Sequence, residues 1–288
     1  MITAEHEHPR AGTGANFADA MVLDFCDAEH DLFGRACLTR LPNAGRSRAS
    51  VVLFKTGELV EKLEPEADAG IDDWSEARLD GIRMHAVQPL EHWRVEIEGS
   101  RGTLRLEAEA LSRPRELPEG MPVGIGFEQY EQLCGVSGTI DVAGRTYPVR
   151  CLGRRVHRWG ELPWNRIDRW RALYAVTGDG RAISVIAVLP TGSTGHEAEL
   201  RAAQFLDREQ PEAFEDVRLS TVYGEDGLPA KVGLELWTAE EEFPRRFGGE
   251  FICGTRSERS DHDLSVSFFR WSIEGEPAYG CYELARCR

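Results

Sequence analysis

The stretch EHWRVEIEGSRGTLRLEAEA, residues 91–110, alternates apolar and polar side chains in two successive runs. In the first run Trp93, Val95 and Ile97 fall on one side, and charged or polar residues fall on the other. A period of two residues is typical of a β-strand with one buried and one solvated face. A Gly-Ser pair separates the two runs, as expected of a turn between antiparallel strands. The stretch therefore predicts a half-buried β-hairpin.

Similar runs, rich in β-branched and aromatic residues and separated by turn residues, recur along the whole chain. Beyond this hairpin and a run at 231–237, strands are predicted near residues 20–26, 32–40, 48–55, 81–88, 135–142, 145–152, 170–177, 182–189, 198–206, 215–223, 249–256, 264–272 and 279–286. Sixteen or so short strands predict an all-β sandwich or barrel, and they are too many for one eight-stranded barrel. Helical periodicity is scarce, and Ile71 to Leu79 is the best short helix.

The strand pattern breaks at residues 158–168, where Gly160 and Pro163 interrupt it. We place a domain junction there, which predicts one β-barrel in residues 1–160 and a second in residues 161–288. With 288 residues, the chain is long enough for two domains that each bury a core.

The formal net charge of −15 disfavours nucleic acid and anionic membrane surfaces as partners. No run approaches the roughly 20 apolar residues of a membrane helix. The N-terminus lacks a signal-peptide pattern, and we expect it to be a solvated lead-in.

The seven cysteines are odd in number, and no two of them form a C-x-x-C motif, which predicts reduced thiols and no zinc site. We expect a cytoplasmic protein without cofactor or metal.

Residues 145–171 stand out because they hold eight arginines against only Glu161 and Asp168, a local formal charge of +6. One interpretation is a cationic rim that binds the carboxylate or phosphate of an otherwise apolar ligand. The alternative is that these arginines pair with the surplus carboxylates of the chain. The same region contains Trp159, Trp164 and Trp170, which suit a pocket wall and a packed core equally well.

Two further groups could handle protons. His157 lies in VHRWG, and histidine exchanges protons near neutral pH, although a single histidine is often structural. The run FEQYEQ, residues 127–132, places Glu128 and Glu131 beside aromatic and amide side chains. A carboxyl group in an apolar wall can act as an acid, although an ordinary strand start with exposed glutamates is the more common case.

The runs FEQYEQLCGVSGTIDVAGRTY (127–147), GRRVHRWG (153–160) and EGEPAYGCYE (274–283) together resemble the hydroxyneurosporene synthase–AttH group. The resemblance implies two consecutive lipocalin-like antiparallel β-barrels with little helix. It also implies a lipophilic, often isoprenoid or polyketide, substrate in an enclosed pocket, since relatives include carotenoid 1,2-hydratases, kievitone hydratase and, more distantly, fungal pericyclases.

The resemblance carries over to individual residues of the junction motif. Gly153, Arg155, His157, Trp159 and Gly160 match this motif, whereas Val156 replaces its acid. The E-Q pair of the group corresponds to Glu131 and Gln132, and its terminal glutamate to Glu283. The strand Ala182 to Leu189 offers no carboxyl group, which weakens the hydratase interpretation but not the pocket.

Three functions stay open at this point. The first is an enzyme without cofactor, a hydratase or a cyclase or isomerase, in which His157 and Glu131 transfer protons. The second is a non-catalytic carrier or sensor of a lipophile, and the third is a structural module with closed barrels. The predicted substrate-binding residues are Arg155, Trp159, Trp164, Trp170, Tyr130, Gln132 and Glu283. The oligomeric state does not follow from the sequence.

Overall fold

The computed structural model describes residues 2–117, 126–161, 164–193, 195–207, 212, 214–259 and 262–287. These residues form antiparallel strands and four short 3-10 turns, and they contain no α-helix. They divide into two compact units. The first comprises Met1–Leu117 and Gly126–Leu162, and the described part of the second lies within Pro163–Arg288. None of the described helical segments is long or apolar enough to cross a membrane.

The first unit is one antiparallel sheet that curls into a nearly closed barrel. Its strands are β1 (Ala18–Asp27), β2 (Leu32–Leu41), β3 (Arg46–Lys55), β4 (Glu58–Leu63), β5 (Glu66–Ala67), β6 (Arg78–Leu79), β7 (Ile82–Gln88), β8 (His92–Glu98), β9 (Gly102–Ala110), β10 (Arg115–Glu116), β11 (Phe127–Val142) and β12 (Arg145–Gly160). The order is β4-β3-β2-β1-β12-β11-β9-β8-β7-β6, with β5 beside β3 and β10 beside β11.

The hairpin of β11 and β12 connects the two halves of this sheet. The strands pair over their whole length, from Phe127 opposite Gly160 to Val142 opposite Arg145. One part of β11 also pairs with β9, and one part of β12 also pairs with β1. The strands predicted at 135–142 and 145–152 are thus the turn-side halves of two 16-residue strands.

The alternation that predicts the β8–β9 hairpin is present in the structure. Trp93, Val95 and Ile97 are buried in the barrel core, whereas Arg94 and Glu98 are exposed. The same core face continues on β1 with Met21, Leu23 and Phe25, on β9 with Leu104 and Leu106, and on β11 with Cys134 and Val136. Burying this apolar surface is the main favourable contribution to folding of the unit.

The second unit is an eight-stranded antiparallel sheet, which also curls nearly closed. Its strands are β13 (Ile167–Thr177), β14 (Ala182–Pro190), β15 (Leu200–Phe205), β16 (Asp216–Tyr223), β17 (Pro229–Trp237), β18 (Arg245–Glu258), β19 (His262–Ile273) and β20 (Glu276–Cys287). The order is β15-β14-β13-β20-β19-β18-β17-β16. The predicted Asp179-Gly180 turn joins β13 to β14.

The helix predicted from Ile71 to Leu79 is wrong. Ile71, Trp74 and Ala77 are buried at a three-residue spacing, which produced the helical pattern. Their backbone does not form the hydrogen bonds of a helix. Instead, the carbonyl oxygen of Trp74 accepts a hydrogen bond from the amide of Ala86, and that of Ala77 accepts one from the amide of Met84. Tertiary pairing with β7 thus replaces the local hydrogen bonds of a helix.

Two glycines of β11 allow a matched test of this architecture. Gly138 has a φ of 142°, and a Cβ there would overlap the carbonyl oxygen of Arg105 on β9. At Gly135 the nearest atom to such a Cβ is Leu111 Cδ1, at 3.8 Å. We expect Gly138→Ala to lower the free energy of unfolding in urea by about 1–3 kcal/mol or more. Gly135→Ala should change it by less than about 1 kcal/mol. Equal effects would contradict the positive φ of Gly138 and its close approach to Arg105.

Candidate functional site

Strand alternation divides the arginine-rich end of β12 into two faces. Arg155, His157 and Trp159 lie on the face of the barrel core, opposite core residues of β1. Arg154 and Val156 lie on the other face. All five side chains are buried. Neighbouring residues of one motif therefore have separate environments, and only the inward set can belong to an interior site.

His157 is held by a buried carboxylate. Its Nε2 lies 2.6 Å from Oδ1 of Asp19, and neither side chain is exposed to solvent. The other oxygen of Asp19 accepts hydrogen bonds from the Arg10 backbone amide at 2.7 Å and from Arg40 at 3.2 Å. Because an ionised carboxylate only accepts, Nε2 carries a proton, and in the neutral imidazole Nδ1 presents a lone pair. Nδ1 has no hydrogen-bond partner among the described residues.

Aromatic rings surround His157. The ring centres of Trp74, Tyr130 and Trp159 lie 5.9, 5.7 and 5.2 Å from the imidazole, and all three are edge-on to it. The Tyr130 hydroxyl and the Trp74 indole N–H are buried without a hydrogen-bond partner in the part of the chain that the structure describes. The histidine therefore faces an apolar wall that carries two free polar atoms.

Arg155 supplies a cationic group to the same interior. Its Nε donates to Oε1 of Gln132 at 2.9 Å, and its guanidinium carbon lies 4.8 Å from the ring centre of Trp93. Gln132 in turn donates to the backbone carbonyls of Leu90 and Ser112. Burial lowers the pKa of Arg155, and the carboxylate of Glu7 acts in the opposite direction. Nη1 of Arg155 has no partner among the described residues.

The N-terminal residues pack against this interior, contrary to the predicted solvated lead-in. Glu7 is 4% exposed, and its Oε2 accepts the indole N–H of Trp93 at 2.6 Å. The guanidinium carbon of Arg10 lies 4.7 Å from the ring centre of Trp159. Ile2 packs against the cluster of Phe17, Tyr130 and Trp159. Hydrogen bonds and apolar contacts with residues that are distant in the sequence therefore order this polar stretch.

We call this group the interior polar site. It consists of Glu7, Asp19, Tyr130, Gln132, Arg155 and His157, with Trp74, Trp93 and Trp159 as its walls. Five buried polar atoms lack a partner there, among the residues described: Glu7 Oε1, Trp74 Nε1, Tyr130 Oη, Arg155 Nη1 and His157 Nδ1. An unpaired buried polar group costs about 1–3 kcal/mol. Each of these five atoms can pair with a polar molecule or with a polar group of a ligand.

The structure does not bring Glu131 to His157. Glu131 lies on the opposite face of β11, where Oε2 accepts Arg154 Nη1 at 3.0 Å. Arg154 also donates to Asp24 at 2.9 Å, and Asp24 accepts Arg35 at 2.8 Å. These four buried side chains form a charged network that is separate from the interior polar site.

Three other predicted site residues belong to the second unit. Trp164 stacks on His262 with ring centres 4.1 Å apart. Trp170 is fully buried on β13. Glu283 lies on β20 between Tyr282 and Leu284, whose side chains enter the core of that unit, so it points to the other face. Of the predicted residues, the interior polar site contains Tyr130, Gln132, Arg155, His157 and Trp159.

The second unit has its own buried polar cluster. Arg171 binds the carboxylate of Glu199 and donates to Thr221 Oγ1 at 3.0 Å. Thr221 Oγ1 lies 2.9 Å from the hydroxyl of Tyr282. Burial raises the pKa of Tyr282 to about 12, and Arg171 acts in the opposite direction. Each of these four side chains has a partner within the cluster, which is typical of a structural network.

Sequence reasoning missed Glu7, Asp19, Arg40, Trp74 and Trp93 as site residues. The available signal was Asp19 and Asp24, which lie in the otherwise apolar run ADAMVLDFCD. A carboxylate within a buried strand needs a charged or hydrogen-bonding partner. Strand pairing determines which partner the carboxylate contacts, and the sequence does not show which strands pair.

The interior polar site coincides neither with a group of metal ligands nor with the surface recess that lies in the second unit. Among the residues described, no three His, Cys, Asp or Glu side chains lie together as a metal site. A recess of about 340 Å³ lies in the second unit beside the β16–β17 turn, lined by residues that include Asp226, Pro229 and Phe251. It contains none of the residues of the interior polar site.

Residues 2–288 match the family described as Domain of unknown function (DUF7064). The chain belongs to this family. No curated protein matches the DUF7064 chain. Among solved structures, it is similar to the AttH-like protein of Nitrosomonas europaea, with a TM-score of 0.68, 16% identity and coverage of 95% of this chain and 93% of the other.

Two further structures resemble the DUF7064 chain. CghA with Sch210972 has a TM-score of 0.65 at 13% identity, with 95% of this chain and 89% of the other covered. Kievitone hydratase from Nectria haematococca has a TM-score of 0.65 at 11% identity, with 93% and 88% covered. At these identities the likeness concerns the fold. The predicted all-β, double lipocalin-like architecture of the AttH-like group is confirmed.

The buried carboxylate of Asp19 should contribute far more to stability than an exposed one. We expect Asp19→Asn to lower the free energy of unfolding by about 3–5 kcal/mol, because it removes the charged partner of Arg40, which is only 12% exposed, and weakens the buried acceptor of His157. The control is Glu107→Gln, which removes the half-exposed partner of Arg94 and His92. It should cost less than about 1 kcal/mol. Urea unfolding measures both, and equal losses would contradict a desolvated Asp19.

Tyr282 should ionise late in the folded protein. Its pKa rises from 10.0 to about 12, so an unfolded chain releases this proton first as the pH increases. The stability that Tyr282 contributes is therefore complete below pH 10 and is lost as the pH rises toward 12. The difference in tyrosinate absorbance between wild type and Tyr282→Phe measures this titration, with urea-unfolded protein as the reference. An ordinary midpoint in the folded state would contradict the burial of this hydroxyl.

Proposed function

We propose that the first unit binds a lipophilic small molecule at the interior polar site and transfers a proton on it. The reaction class is hydration, isomerisation or cyclisation without a cofactor. The observation that carries the proposal is the His157–Asp19 pair, with Nε2 bonded at 2.6 Å and Nδ1 unpartnered beside the Tyr130 ring. A base held by a carboxylate and open on its other nitrogen is the arrangement that general base catalysis requires.

The residues have distinct roles in this proposal. His157 Nδ1 accepts a proton from the substrate or from a water molecule, and the charge of Asp19 stabilises the imidazolium that forms. When the proton leaves a carbon next to a carbonyl group, the electron pair moves to the carbonyl oxygen. Arg155 Nη1 and the Trp74 N–H can then donate to that oxygen. The imidazolium returns the proton to a second carbon, which completes an isomerisation.

Hydration uses the same groups. His157 takes one proton from water, and the oxygen adds to an alkene carbon conjugated with a carbonyl group. The electron pair of the alkene passes to the carbonyl oxygen, and the imidazolium then protonates the neighbouring carbon. The Tyr130 hydroxyl can hold either the water or the substrate oxygen. In this proposal Asp19 is the partner of His157 in place of Glu131, and the imidazolium supplies the proton, so hydration needs no carboxyl group at Val156 or in Ala182 to Leu189.

The chemistry of the site also favours an oxygenated ligand. A pure hydrocarbon would leave the five free polar atoms unpaired, whereas carbonyl and hydroxyl groups can pair with them. The aromatic walls suit an apolar body, so a polyketide-like or oxidised isoprenoid compound matches both features. The name kievitone hydratase and the structure of CghA with Sch210972 support a small-molecule function on this fold.

The test begins with native mass spectrometry of freshly purified protein and solvent extraction of any retained compound. The identified compound is then incubated with wild type and with His157→Gln, which keeps an N–H donor for Asp19 but cannot exchange a proton. We expect His157→Gln to bind the compound and to lower turnover about 10²–10⁴-fold. His92→Gln, at a half-exposed site, is the matched control and should keep full turnover.

A second comparison separates the two carboxylates. Glu131→Gln should reduce stability without abolishing turnover, since Glu131 binds Arg154 on the other face. Full turnover by His157→Gln would disprove the proton-transfer mechanism. Recovery of the compound unchanged from wild type would establish a carrier instead of an enzyme.

A further inference from the structure

Residues 2–17, which we call the N-terminal segment, lie against the interior polar site without joining the sheet. Strand β1 begins at Ala18, and no residue of the segment takes part in a described strand pair. Side chains of the barrel hold it instead. Asn43 Nδ2 donates to the carbonyl oxygens of Gly12 and Gly14 at 2.8 and 2.7 Å, and Glu161 accepts the amide of Asn16 at 3.1 Å.

Three of these hydrogen bonds are solvent-exposed, whereas Glu7, Arg10 and Phe17 make buried or partly buried contacts with the barrel. A Cβ at Gly12 would overlap the ring of Phe17, and one at Gly14 would overlap the carboxylate of Glu161. Hydrogen bonds outside a sheet open at a lower free energy than core strands do. Because no described strand pair includes the segment, it can separate from the barrel while the barrel stays folded.

The segment carries a charged group into the site. Glu7 Oε2 is bonded to Trp93, whereas Oε1 is buried and has no hydrogen-bond partner among the described residues. Its charge also acts on Arg155, the cation of the interior polar site. A free, buried carboxylate oxygen accepts hydrogen bonds only, so it complements a hydroxyl or an N–H group of a ligand.

We propose that Glu7 contacts the ligand and is delivered by a lid, the N-terminal segment, which opens to admit the ligand and closes over it. This inference rests on the proposed function of the interior polar site. Glu7 Oε1 accepts a hydrogen bond from a hydroxyl group of the ligand. Since hydrogen bonds to charged groups are the strong ones, Glu7 favours a hydroxylated ligand over the matching hydrocarbon by about 10- to 100-fold.

The first experiment measures opening of the lid by hydrogen–deuterium exchange of the whole protein. Asn43→Ala removes two attachments of the lid without touching any residue of the interior polar site. We expect peptides of residues 2–17 to exchange about 5- to 30-fold faster, with no change in β1. Asn165→Ala, at an exposed position in the second unit, should leave exchange unaltered. Unchanged exchange in Asn43→Ala would overturn the lid.

The second experiment measures the contact of Glu7 by calorimetry with two probes, 2-naphthol and 2-methylnaphthalene. They share an apolar skeleton and differ in a hydroxyl group. Wild type should prefer 2-naphthol by about 10- to 100-fold, and Glu7→Gln should reduce the preference about tenfold or more. Glu5→Gln, an exposed glutamate of the same segment, is the matched control and should keep it.

The outcomes separate this inference from the function on which it rests. If Glu7→Gln binds 2-naphthol as tightly as wild type does, Glu7 does not contact the ligand, and the proposed function stands. If neither probe binds to any variant, including Asn43→Ala, the proposed ligand site fails, and the role of Glu7 fails with it. Loss of the preference in Glu7→Gln alone supports the contact.

Discussion

A single buried carboxylate organises the interior of the first unit. Asp19 accepts hydrogen bonds from His157, from Arg40 and from the backbone amide of Arg10. These partners come from β12, from β2 and from the N-terminal residues, so the three elements meet at one charge. Because a buried carboxylate without such partners is very costly, the position of each partner is tied to the others. Asp19 thereby orients His157 and helps to hold the residues that cover it.

The two faces of β12 show how one motif performs two tasks. Arg154 completes the charged network with Asp24 and Glu131, and although burial alone would lower its pKa, these carboxylates raise it. Its neighbour Arg155 faces the core, has only the neutral Gln132 as a hydrogen-bond acceptor among the described residues, and has a lowered pKa. The carboxylates around Arg154 stabilise the wall, whereas a guanidinium with a free N–H can bind another molecule.

The sequence predicted the strands well and the site only in part. Alternation identified the buried face of β8 directly, because a period of two residues is set by the strand itself. Pairing Glu131 with His157 depended on the resemblance and on closeness along the chain, but Glu131 lies opposite Val156, whose side chain points to the other face from that of His157. Tyr130 and Gln132, one position away on each side, are the residues that share the interior with His157. The contact between Glu7 and Trp93 was hidden because the two residues are far apart in the sequence.

The two units differ in which buried polar atoms they leave open. Both interiors contain a buried arginine, a buried carboxylate and a tyrosine. In the second unit, Arg171 bonds to Glu199 and Thr221, and Thr221 to Tyr282, whereas Arg171 Nε has no hydrogen-bond partner among the described residues. In the first unit, the open atoms include Nδ1 of His157, whose imidazole is held by Asp19, and the hydroxyl of the neighbouring Tyr130. Unpaired polar atoms destabilise a fold, and a ligand that pairs with them recovers this loss on binding. In the proposed function, His157 therefore transfers the proton, and the open polar atoms beside it give a ligand a reason to bind there.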